Sequence, residues 1–125
     1  MNSETERYFL KIRESLKLLS LTFNEQKQFF PTFVDMPFEV LDTYEKAFLL
    51  LPQVVESKKI SSYSVIANLL RIHFAINMIF NHPNYDEFDD EKLTTITDWN
   101  RVRELSIQTL QLMGVPLDKP NPDYT

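Results

Sequence analysis

Residues 62–81 read Ser62-Tyr-Ser-Val-Ile-Ala-Asn-Leu-Leu-Arg-Ile-His-Phe-Ala-Ile-Asn-Met-Ile-Phe-Asn81. Neither glycine nor proline interrupts the run. Ser61 or Ser62 stands where a helix N-cap accepts an early backbone N–H. Apolar side chains fall on most sides: Val65, Ile66, Leu69, Leu70, Ile72, Phe74, Ile76, Ile79 and Phe80. Twenty residues of helix span about 30 Å, the width of a small domain. A helix that is apolar nearly all round belongs in the centre of a bundle. Asn68, Arg71, His73 and Asn77 would be costly in hydrocarbon, so the stretch reads as a buried helix and not a membrane span. Pro83 ends it.

Outward from this helix the periodicity stays helical. Toward the N-terminus, Ser3-Glu-Thr-Glu6 has the form of a capping box. Behind it Tyr8, Phe9, Ile12, Leu16 and Leu19 draw one apolar stripe, with Lys11, Arg13, Glu14 and Lys17 off the stripe and expected to face water. A second box, Thr22-Phe-Asn-Glu25, opens a short helix that Pro31 must end. Asp35-Met-Pro37 starts a third helix, with proline early, where its missing N–H costs nothing. Its expected face is Phe38, Leu41, Tyr44 or Ala47, Phe48 and Leu51, and Pro52 kinks or ends it. Gln53 to Lys59 reads as another turn or two and then a loop.

Toward the C-terminus, His82 to Glu91 is an acidic loop and Glu91 to Ile96 a short helix. Thr97 or Asp98 caps the last helix, whose inward face is Trp99, Val102, Leu105, Leu110 and Met113. Gly114 suits the left-handed position after a helix end, and Pro116 prevents resumption. The predicted fold is an all-α, compact single-domain bundle of five or six helices over residues 1–116, centred on the helix at about 62–81. Residues 117–125 form an extended tail.

Composition removes whole classes of function. The 125 residues are 43% hydrophobic and 25% charged, ordinary for a globular chain. There is no cysteine, which excludes thiolate catalysis, disulfide frameworks and thiolate zinc sites. The single glycine, Gly114, excludes phosphate-binding glycine loops, EF-hand loops and the nucleophile elbow. A net charge of −5 disfavours a general nucleic-acid binder, which needs a clustered basic surface. The polar, acidic N-terminus has no cationic start followed by an apolar run, so a cytoplasmic location is expected.

A search for chemistry finds little. The two histidines are His73, among apolar neighbours in the central helix, and His82, at a helix end where a ring can bond the last carbonyls. No Glu-x-x-His, His-x-x-x-His or HExxH spacing occurs. The Arg–His spacing of helical ribonucleases and the paired Glu-x-x-Glu of helical pyrophosphohydrolases are also missing. No catalytic residue, metal site or cofactor is therefore assigned, and the chain reads as non-catalytic.

Charge is uneven. Residues 35–57 carry five acids and one base, and residues 84–98 six acids and one base, while 58–83 carry three bases and no acid. The segment Asn84-Tyr-Asp-Glu-Phe-Asp-Asp-Glu91 sets two aromatics among five carboxylates. At an interface the rings would supply burial while the acids steer and select a basic partner. Tyr85, Asp86, Glu87, Phe88, Asp89, Asp90 and Glu91 are thus candidate partner-binding residues, joined by Asp35, Glu39 and Asp42 of the third helix. The expected function is a protein that binds a basic protein, in the manner of immunity proteins that neutralise nuclease toxins, with neither nucleic acid nor membrane as partner. The alternative is a small-ligand-binding or regulatory helical domain using Arg71, His73 and Asn77, since helical grooves pair apolar walls with a few polar groups.

Overall fold

The computed structural model describes residues 3–32, 34–87 and 89–125, with Ser3, Glu87 and Asp90 by backbone only. Seven α-helices, and no strand, lie among them: α1 Ser3–Ser20, α2 Phe23–Phe29, α3 Met36–Phe48, α4 Leu51–Glu56, α5 Tyr63–Phe80, α6 Asp90–Leu93 and α7 Thr97–Met113. The all-α bundle expected from the periodicity is the fold. The count reaches seven through α4 and α6, each two turns or fewer.

Most ends are set by local chemistry. Thr22 and Glu25 form the reciprocal capping box of α2. Asp35 accepts the Phe38 N–H to open α3, and Ser62 accepts the Val65 N–H to open α5. The capping box read at Ser3–Glu6 turns on a side chain outside the described ones. Three boundaries differ from expectation, the first being the short helix read at Glu91–Ile96, which is α6 and ends at Leu93. Pro52 sits in the first turn of α4, so α3 already stops at Phe48 and Leu51 belongs to the next helix. α7 opens after Ile96, with no side-chain cap from Thr97 or Asp98.

At its far end α7 closes as the sequence suggested. The Val115 N–H reaches the Leu110 carbonyl at 2.9 Å and the Gly114 N–H the Gln111 carbonyl at 3.1 Å, with Gly114 left-handed at φ 70°. A Cβ built on Gly114 meets nothing within 4 Å. Substitution there meets only backbone strain, and Gly114→Val should cost about 1–2 kcal/mol in a urea melt. An unchanged midpoint would mean the turn is free to rearrange.

The most enclosed helix is α1. Its face Ile12, Leu16, Leu18 and Leu19 is buried, and it packs on α7, α3, α4 and the C-terminal turn Pro122–Tyr124. The charged residues expected in water need correcting here. Glu14 is 1% and Lys17 7% exposed, because the last nine residues fold back over them. Glu14 takes Arg13 Nε at 2.8 Å and Lys17 Nζ at 3.2 Å, and its other oxygen accepts the Asn121 N–H at 2.8 Å. Lys17 also meets Asp118 at 2.7 Å. The Lys17 hydrogen bond holds the Asp118 carboxyl below its ordinary range. The C-terminal segment runs without helix to Asn121, then turns and stays pinned to α1.

α5 packs most extensively on α7 and also meets α3. Val65, Asn68, Leu69, Ile72, Ala75, Ile76 and Ile79 form its buried face. Tyr44 of α3 is buried beneath it and donates its hydroxyl to the Leu69 carbonyl at 2.7 Å. Burial, with a smaller push from Glu45, raises that phenol well above the usual tyrosine range, so it stays a neutral donor. The opposite face of α5, with Tyr63, Leu70, Phe74 and Met78, is exposed. The helix is long and apolar enough by length and composition to cross a bilayer, with mean hydropathy 1.3, yet only 39% of it is buried. The enclosed position expected for it falls instead to α1, which has helices on more sides.

α3 is also rotated from the expected face. Val40, Leu41, Tyr44 and Ala47 point inward, whereas Phe38 is 42% exposed and Phe48 only half-buried. The inner face of α7 adds two polar residues, Ser106 and Thr109, whose hydroxyls donate to the Val102 and Leu105 carbonyls one turn back.

Candidate functional site

The start of the first acidic block, Asp35, and the loop segment of the second, more than forty residues on, meet at one end of the bundle. α6 packs on α3, and an aromatic series joins the helix start to the loop: Phe38 to Phe80 at 6.0 Å between ring centroids, then Phe80 to Tyr85 at 5.8 Å. Tyr85 is half-buried in this series, and Tyr85–Glu87 form a 3-10 turn. Of the candidate anchors, Tyr85 therefore packs on its own molecule. Phe88 lies outside the described residues.

Asp35, Asp86, Asp89 and Glu91 are exposed at this end, and Glu39 is half-exposed. Several have local duties too. Asp35 caps α3, and Asp89 accepts the Lys92 N–H at 2.8 Å to open α6. Asp42 lies a turn further along α3, where Lys46 bonds it at 3.0 Å; that bond raises the lysine above its ordinary range. For Glu87 and Asp90 only the backbone is described.

The alternative site separates into two parts. His73 Nδ1 stands 2.8 Å from Glu45 Oε2, and Asn77 Nδ2 stands 3.2 Å from His73 Nε2. A carboxylate only accepts, so Nδ1 is the donor to Glu45, and the Asn77 amide lies against Nε2. Phe48 stacks on the ring at 4.4 Å with 8° between planes. A general base needs a free ring nitrogen facing a nucleophile. Here both nitrogens are engaged and one face is covered, so the chain of contacts clasps α3 to α5. Arg71 points elsewhere on α5 and donates to Asn68 Oδ1 at 2.8 Å. His82 accepts the Asn84 N–H on Nδ1 at 3.1 Å, which ties down the turn after α5.

The pairing of Glu45 and Phe48 with His73 was not foreseen from sequence. They stand 28 and 25 positions from His73, and no local spacing signals such a pairing. Among the described residues, no group of three or more His, Asp or Glu is placed to hold a metal ion.

An open apolar groove of about 530 Å³ lies between α4 and α5, lined by Phe48, Leu49, Leu51, Pro52, Val55, Glu56 and Leu70. Phe48 joins it to the histidine clasp. No protein-family model, no curated protein and no solved structure matches this chain.

Proposed function

We propose that this chain is a non-catalytic, cytoplasmic protein whose acidic end binds a basic protein partner, as an immunity-type inhibitor covers a toxin or nuclease. The observation that carries the reading is the meeting of two acidic segments through α6 on α3, which brings exposed Asp35, Asp86, Asp89 and Glu91 to one end with Lys92 the one base among them, and with Glu39 further along beside Lys46. Exposed carboxylates contribute little to stability, but clustered they raise association rates with a basic surface and repel acidic competitors. They occupy the position that phosphates would take on a nucleic-acid-binding partner, and they need neither metal nor cofactor.

The test starts from the partner itself, recovered by affinity capture from the source cells and identified by mass spectrometry. A protein with a strongly basic surface is expected. Asp35→Asn, Glu39→Gln, Asp86→Asn and Asp89→Asn are then combined, asparagine being chosen because it still caps α3 and α6. Association should slow about ten-fold at low salt, dissociation should change little, and the melting temperature should hold. The difference from the parent should shrink above about 0.15 M salt, where screening sets in within about 8 Å. Unchanged association at low salt would remove the acidic end from the interface.

A further inference from the structure

Opposite its buried face, α5 carries a second apolar stripe. Tyr63, Ala67, Leu70 and Phe74 follow one another at spacings of four, three and four, the seam spacing of a coiled coil, with Met78 beside them. Tyr63 is 88%, Leu70 41%, Phe74 63% and Met78 61% exposed. Across the groove walled by Phe48, Pro52 and Val55, Leu49 is 73% exposed and continues the patch onto the end of α3.

We propose that a second copy of this chain docks on this face, α5 against α5 across a twofold axis, making the protein a homodimer. Area is the first argument. At about 200 Å² for a large side chain, the exposures of Leu49, Tyr63, Leu70, Phe74 and Met78 amount to on the order of 650 Å² of mostly apolar surface. That exceeds the patch of about 300–600 Å² usual on a monomer. With its polar rim it approaches the roughly 800 Å² per partner of a stable interface.

Charge is the second argument. Arg71 is the one charged residue of α5, so the face offers a charged partner almost nothing to recognise. Two copies of an apolar seam need no complementary charge, and a twofold axis makes any such patch self-complementary. The acidic end lies past the C-terminus of α5, outside the seam. The dimer does not depend on the reading of that end.

Sedimentation velocity of the full chain between about 1 and 300 µM tests the assignment. The molar mass is expected to rise from 14.8 kDa toward twice that value. Leu70→Glu with Phe74→Glu should stay at 14.8 kDa throughout, with helical circular dichroism kept and a melting temperature that no longer depends on concentration. Should that pair fail to fold, Tyr63→Lys with Met78→Lys alters two side chains that are both more than half exposed and should weaken the dimer at least ten-fold. A parent that remains monomeric at 300 µM overturns the proposal, and binding of the same face to phospholipid vesicles or to another protein would then give its occupant. A dimer that survives both pairs of substitutions also overturns it.

Discussion

Leu69→Ala lowers stability by about 2–5 kcal/mol and the melting temperature by roughly 10–20 °C. Leu69 is 1% exposed on the inner face of α5, and its carbonyl receives the Tyr44 hydroxyl at 2.7 Å. Truncation removes a buried side chain beside a hydrogen bond that resists collapse of the helix into the space. The neighbouring residue supplies the control. Leu70 is 41% exposed on the opposite face, so at concentrations where the chain is monomeric Leu70→Ala should cost less than about 1 kcal/mol. The two variants differ by one position and by about 100° around the helix axis. Equal losses at both, or none at Leu69, would show that α5 is not oriented as described.

That contrast marks the limit of a periodicity argument. The length of α5, its serine cap and its stop before Pro83 were readable because each is set within four residues of the helix end. Which of its apolar faces is covered was not readable. A helix apolar on all sides presents two candidate faces, and only packing against α7 and α3 chooses between them. The same limit explains α3, where the face holding Val40 and Tyr44 turns inward and leaves Phe38 partly in water. It explains α7 as well, because Ser106 and Thr109 break an apolar pattern yet bury easily by bonding the preceding turn.

The candidate surface shows a different limit. Each acidic block was legible as a charge run, and the loop segment stood out by composition. Their adjacency is tertiary, made by α6 on α3 and by Phe38, Phe80 and Tyr85, none of which sequence spacing relates. Likewise His73 and Asn77 could be placed on one helix face. The carboxylate that fixes the ring, Glu45, comes from another helix and changes the meaning of the pair. Held between Glu45 and Asn77, the ring fastens α3 to α5.

Glu14 yields the other large effect. Reading α1 alone puts it in water, but the C-terminal segment covers it, so it is a buried carboxylate held by Arg13, Lys17 and the Asn121 N–H. Glu14→Ala leaves Lys17 buried with only the exposed Asp118, and breaking a buried pair from one side costs about 3–5 kcal/mol. The Asn121 amide should also lose its protection from hydrogen exchange, since its acceptor is gone. Glu14→Met combined with Lys17→Met removes both charges and fills the space with apolar atoms. That pair should recover most of the loss, because apolar replacement of a whole buried ion pair is often neutral or better. The Asn121 amide should remain unprotected all the same, which separates the cost of an orphaned charge from the cost of releasing the tail. A denaturant melt and an exchange experiment on the three proteins read both quantities. If Glu14→Ala loses less than about 1 kcal/mol, the lysine finds water and the C-terminal segment does not seal α1.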